Sequence, residues 1–216
     1  MIQAIFWDND GVLVDTEELF FTANRDVMAE QGVELDTDTF AEWSLRRGQS
    51  IFDLIEGSSE AEREALRDER NRRYEAALRQ GVRVFDGVER CLAGLHGRLP
   101  MGVVTSAYPV HFEIIHAQTN LLQYFEFVLK GGDYDRHKPH PDPYLEAAGR
   151  IGVEPEHCLV VEDSERGLRS AVSAGMRCIV IPNPLARDAA LDGAYAIVDA
   201  VDEIPGIVAS LLRDSS

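Results

Sequence analysis

Asp8 and Asp10 stand one residue apart where a short apolar run, Ile2 to Trp7, gives way to Gly11. A run that short, rich in Ile and aromatics and then cut by Gly, predicts a buried β-strand followed by a turn. Strand side chains alternate in direction, so residues two apart lean the same way and both carboxylates can face one site. One carboxylate can attack phosphorus as a nucleophile and carry the phosphoryl group as an aspartyl-phosphate. The other can give a proton to a departing alcohol and later take one from water. Asp-Asn-Asp-Gly is also ordinary turn chemistry, so this reading depends on what the rest of the chain brings to the same place.

Three later stretches bring it. Thr105 and Ser106 follow the apolar residues Met101 to Val104, and a hydroxyl plus backbone N–H groups at a strand end can bind phosphoryl oxygens without adding charge. Lys138 heads the run Lys138-Pro139-His140-Pro141-Asp142-Pro143-Tyr144. Its alternating prolines predict a rigid, extended segment that aims the ammonium at a phosphate. Glu162 and Asp163 close the apolar run Cys158 to Val161. Three carboxylates gathered without a cation raise one another's pKa values. A hard divalent ion removes that penalty, and Mg²⁺ prefers oxygen ligands and substrate phosphate.

The elements that hold these residues follow from periodicity. Helices are expected over 17–31 and 60–80, a capped one near Phe40 and Trp43, and a short one over 51–55, all before residue 81. In 60–80 the acid-first pairs Asp68–Arg72 and Glu69–Arg73 suggest a solvated charged face. After Gly87 the pattern alternates: strands over 101–105, 126–130, 158–162, 178–182 and 195–199, with helices over 109–119, 143–151, 164–174 and 202–213. Such alternation predicts an α/β fold with a parallel sheet and helices on both faces. Chemistry in such sheets sits beyond the carboxyl ends of the strands, where Asp8, Asp10, Thr105 and Asp163 fall.

Composition narrows the partners. The 216 residues carry 21 Lys and Arg against 38 Asp and Glu, a net charge of −17, which argues against nucleic acid and anionic membranes. No apolar run approaches the roughly 20 residues of a membrane helix. Cys91, Cys158 and Cys178 lack metal or redox spacing and sit in apolar contexts, so reduced core residues in a cytoplasmic protein are expected.

Taken together, Asp8-x-Asp10-Gly11-Val12-Leu13-Val14-Asp15-Thr16-Glu17, Thr105, KPxPxPY from Lys138, and hhhEDSxxG ending at Gly167 resemble, in order, the four motifs of the haloacid-dehalogenase-like (HAD) superfamily. The closest likeness is to its helical-cap subfamily, with β-phosphoglucomutase-like and phosphoglycolate-phosphatase-like enzymes. The resemblance implies a doubly wound, Rossmann-like core from 1–16 plus 81–216, with 17–80 as an inserted all-helical cap domain. It assigns Asp8 as nucleophile, Asp10 as acid and base, and Thr105, Ser106 and Lys138 as holders of the phosphoryl group. Mg²⁺ would sit on Asp8, the Asp10 carbonyl and Asp163, with Glu162 a direct or indirect ligand. Arg46, Arg47, Gln49, Ser50 and Glu17 are the cap-side candidates for substrate contact, Arg47 toward a distal anionic or hydroxylated group.

Departures from the family patterns sort its chemistries. A second aspartate at Asp10 disfavours dehalogenation, and the absence of lysine from 17–80 disfavours phosphonatase chemistry. Where the mutases carry a cap histidine and arginine, this chain has Phe20 and Ile51. The expectation is a Mg²⁺-dependent phosphomonoester hydrolase acting on a small phosphorylated, sugar-phosphate-like metabolite, as a monomer or weak homo-oligomer. A sugar phosphomutase is the alternative. A phosphorylated receiver-type switch is disfavoured by motif order.

Overall fold

The computed structural model describes residues 1–186 and 189–213. In chain order the strands are β1 (Ala4–Trp7), β2 (Val14–Asp15), β3 (Arg83–Val84), β4 (Met101–Val104), β5 (Phe127–Leu129), β6 (Cys158–Glu162), β7 (Arg177–Val180) and β8 (Ala196–Ile197). The α-helices are α1 (Glu17–Glu30), α2 (Thr37–Phe40), α3 (Glu60–Gln80), α4 (Val88–Leu95), α5 (Pro109–His116), α6 (Asp142–Ile151), α7 (Glu165–Ser173) and α8 (Ile204–Arg213). Six strands form a parallel sheet in the order β5-β4-β1-β6-β7-β8. Strand β1 lies between β4 and β6, where the order of winding reverses. That topology makes a crevice beyond the carboxyl ends of β1, β4 and β6.

Side-chain alternation divides the core in two. Ile5, Trp7, Leu159, Val161 and Ile179 pack on one face with α4 and α8 residues. Ala4, Phe6, Cys158, Val160, Cys178 and Val180 pack on the other with Tyr144, Ala147, Leu168 and Ala171. Both faces of the sheet are therefore covered, as near-continuous apolar strands require. The three cysteines are free and buried.

Residues 17–80 are helical without a strand and carry an apolar cluster of their own, including Phe21, Met28, Phe40, Ile51 and Phe52. Antiparallel β2 and β3 tie the exit and return of this block together, with Asp15 paired to Arg83 at 2.5 Å. Helix α3 runs over the predicted 60–80, opened by a capping box between Ser59 and Glu62. Elsewhere the helices and strands start or stop within a few residues of expectation. The largest local difference is at Ala41–Arg46, which follows α2 as a π-helix, and Arg72 pairs with Glu69 in place of Asp68.

Candidate active site

Asp8 follows β1 while still in the sheet, its N–H donating to Val161 O. Its carboxylate meets the lysine from the proline-rich segment. Lys138 is 5% exposed, and its Nζ donates to Asp8 Oδ1 (2.9 Å), Val104 O (2.9 Å) and Glu162 Oε1 (2.6 Å). Burial works against that ammonium, but the Asp8 and Glu162 carboxylates outweigh it and hold its pKa above the ordinary lysine range. The segment is not extended as its prolines suggested. The Lys138–Pro139 peptide is cis, and His140 N–H closes a turn on His137 O.

Glu162 is wholly buried and fully engaged. Lys138 and the Tyr144 hydroxyl (2.6 Å) donate to Oε1, and the Asp163 N–H and Ser164 hydroxyl (each 3.2 Å) donate to Oε2. Gly167 makes this possible, since a Cβ there would overlap the Glu162 carboxylate. Tyr144→Phe removes one donor from a buried charge. The expected cost is about 1–3 kcal/mol of stability, read by urea unfolding, with a fall in turnover because Glu162 fixes Lys138.

Asp10 is held by three donors: Thr16 Oγ1 (2.5 Å), Thr105 Oγ1 (3.3 Å) and Asn9 Nδ2 (3.3 Å). Thr105 also accepts the Ala107 N–H, and Ser106 is exposed at the cavity wall. Behind the turn, His116 Nε2 donates to Asn9 Oδ1 (2.8 Å) and its Nδ1 accepts from the Thr119 hydroxyl (2.8 Å). A Thr119–His116–Asn9–Asp10 chain thus fixes the turn from a helix that the motif reading did not include.

Burial pushes the His116 imidazole from 6.5 down to about 4, with Asp10 only partly opposing. Its folded pKa lies below its unfolded one, so the unfolded chain binds the proton first. Stability is full above pH 6.5 and falls as pH drops toward 4. His116→Gln should remove up to about 3 kcal/mol of that acid-linked loss, measured by urea unfolding across the window.

Asp8, Glu162 and Asp163 each offer an oxygen, and these lie within 4.8 Å of one another. Burial, then Glu162, push Asp8 up to about 7, and burial with Asp8 raises Asp163 well above its usual range. A divalent cation relieves both penalties, so the Asp8 and Asp163 carboxylates fit a hard ion such as Mg²⁺, while both Glu162 oxygens are taken by donors. Asp163 is oriented by Asn183 Nδ2 (2.7 Å), and a Cβ at Gly11 (φ +78°) would overlap its carboxylate.

Asp8, Asp10, Thr105, Lys138, Asp163 and Asn183 line one cavity of about 480 Å³ that the helical block roofs. Gln49, Ser50 and Glu17 line it, and one Glu17 oxygen is buried without a partner among the described residues. Burial, then Asp10 and Asp8, push the Glu17 carboxyl up to about 8. Arg47 lies outside the lining, contrary to expectation: it pairs with Glu42 at 2.7 Å and stacks on Trp43. Arg46 also pairs with Glu42 (2.6 Å) and reaches Glu165 (3.6 Å). The cap-side cations in the cavity are instead Arg67 and Arg70 of α3, joined by Arg166 of α7. The solvated-face reading of α3 misses them because it follows helix charge pattern, whereas exposure here depends on which turn faces the crevice.

The sequence model of the family described as haloacid dehalogenase-like hydrolase matches residues 5–181. The chain is 30% identical to the fructose-1-phosphate phosphatase YqaB of Escherichia coli (strain K12), over 81% of this chain and 94% of that protein. It is 32% identical to a phosphoglycolate phosphatase of Xanthomonas campestris pv. campestris, over 81% and 80%. The structure of CbbY from Rhodobacter sphaeroides in complex with phosphate superposes with a TM-score of 0.79 at 25% identity, over 94% of this chain and 96% of that one. The chain belongs to the haloacid dehalogenase-like hydrolases. The curated relatives named here are phosphatases.

Proposed function

We propose that the protein is a Mg²⁺-dependent phosphomonoester hydrolase that passes the phosphoryl group of a small, sugar-phosphate-like metabolite through an aspartyl-phosphate at Asp8. The observation that carries this is the Asp8 carboxylate bonded to the buried Lys138 ammonium on the floor of a cavity that Asp10 also lines. Lys138 opposes the burial and the Glu162 charge that raise the Asp8 carboxyl, and it offsets the repulsion between this nucleophile and an anionic phosphate. Asp10 gives its proton to the leaving oxygen, then takes one from the water that cleaves the phosphoenzyme. Thr105 and the Ser106 backbone orient the phosphoryl oxygens, and Lys138 adds its positive charge while bonded to Asp8. Asp8, the Asp10 carbonyl and Asp163 would hold Mg²⁺, which supplies positive charge against the phosphoryl oxygens when bound. Glu162, with both oxygens engaged, acts by holding Lys138 rather than as a direct ligand.

The helical block 17–80 serves as a cap that excludes water, with its hinges at the β2 and β3 ribbon. Phe20, at the position of the mutase histidine, lines the cavity without a proton to move, which supports hydrolysis over mutase chemistry. A cytoplasmic setting fits the three free cysteines. The test is phosphate release from a panel of phosphomonoesters with and without Mg²⁺. Release that requires Mg²⁺ supports the reading; isomerised sugar phosphate without release would replace it with the mutase.

A further inference from the structure

The charges lining the cavity do not balance evenly across it. Asp8, Asp10 and Asp163 stand at the strand ends, with Glu17 beside them. Two of the four cations are paired with carboxylates. Lys138 is paired with Asp8 and Glu162, and Arg67 with Glu60. Arg166 donates to Lys138 O and stands in the fields of Glu162, Asp8 and Glu17. Neither Arg166 nor Arg70 pairs with a carboxylate among the described residues, but Arg70 lacks even the carboxylate fields that reach Arg166.

Arg70 is nevertheless firmly placed. Its Nη1 donates to Asn24 Oδ1 of α1 (3.0 Å), its Nε to Asn71 Oδ1 (2.9 Å), and its guanidinium lies 4.5 Å from the centre of the Phe20 ring. Those bonds leave Nη2 without an acceptor among the described residues. Burial pulls the guanidinium down to about 10 from 12.5, so this is a cation short of countercharge. Tyr74, Tyr108 and His111 line the same part of the cavity, and two of them are phenols whose hydroxyls can add hydrogen bonds. A fork-shaped, pre-oriented guanidinium with free donors matches a carboxylate or a phosphate, not a neutral polyol.

We propose that Arg70 is a specificity-determining residue that selects substrates carrying a second anionic group, a carboxylate or a second phosphate, besides the phosphoryl group that is removed. This deepens the phosphatase reading of the same cavity and rests on it. It also explains how a chain with net charge −17 admits a multiply anionic substrate: one cation receives each end. The roughly 480 Å³ cavity has room for a sugar-sized molecule between them.

Two matched pairs test it. Glycerol 3-phosphate and 3-phosphoglycerate differ by a carboxylate in place of CH₂OH, and fructose 1-phosphate and fructose 1,6-bisphosphate differ by a second phosphate. The expected result is that wild type favours the charged member of at least one pair by about tenfold or more in kcat/KM. In Arg70→Gln that preference should fall at least about tenfold, mainly through KM, and Arg70→Lys should restore part of it. The pair that responds tells carboxylate from phosphate. Wild type favouring the neutral member of both pairs, or Arg70→Gln lowering both members equally, would overturn the assignment. Calorimetric Kd values of the same four compounds on Asp8→Asn protein keep the two readings apart. Charged-member binding without any wild-type turnover would leave Arg70 in place and remove the hydrolase. Turnover without charged preference in either assay would do the reverse.

Discussion

Lys138→Met is expected to lower kcat for phosphate release at least about 10²–10³-fold, the scale of removing one pre-oriented electrostatic group from an active site. Methionine is unbranched like lysine, one heavy atom shorter and without charge or N–H donors, so the loss is chiefly electrostatic. Lys138 Nζ is the one cation among the described residues bonded to both Asp8 and Glu162, and all three of its protons are used. Without it, two buried carboxylates face each other with only Tyr144, Ser164 and one backbone N–H to compensate. Breaking a buried pair in this way costs about 3–5 kcal/mol, so the variant should also unfold at lower urea. Phosphate release and urea titration measured on the same preparation separate the two losses. Turnover within threefold of wild type would show that Asp8 does not depend on the lysine.

Gly11→Ala is the second large expected effect. Two costs coincide at this residue. Its φ of +78° penalises any Cβ by about 1–2 kcal/mol, and that Cβ would overlap the Asp163 carboxylate. Because Asp163 is buried and anchored by Asn183, it cannot step aside freely. The variant should need more Mg²⁺ for half-maximal turnover and lose about 10–100-fold in activity at low Mg²⁺, the scale of a disturbed metal environment. Gly32→Ala is the control: Gly32 has φ +74°, yet a Cβ there meets nothing within 4 Å. It should lose about 1–2 kcal/mol of stability and keep its turnover. Equal Mg²⁺ dependence in the two variants would contradict a role for Asp163 at the metal.

Much of this arrangement could be read from the chain. Each of Asp8, Thr105 and Asp163 follows an apolar run ended by a polar residue, and a parallel sheet brings such ends together. Lys138 was marked by its proline-rich context, although the segment turns where its prolines suggested extension. What could not be read depends on long-range packing. His116 reaches Asn9 across 107 positions of sequence, and nothing in the pattern of α5 singles it out. Arg70 looks like any arginine of a charged helix until Asn24 and Phe20 fix it on the cavity side. Arg47, placed in a polar loop by the sequence, instead spends its charge on Glu42 because the π-helix turns it toward that neighbour. Asn183 follows β7 with the same strand-end signal as the others, but one amide after a strand carries no chemistry by itself.

The central claim is a covalent phosphoenzyme at Asp8. Rapid acid quench of enzyme mixed with radiolabelled phosphomonoester and Mg²⁺, followed by peptide mapping, tests it most directly. The predicted result is a hydroxylamine-labile label on the peptide that contains Asp8, present in wild type and missing in Asp8→Asn. Label on another residue, or steady phosphate release by Asp8→Asn at the wild-type rate, would contradict it.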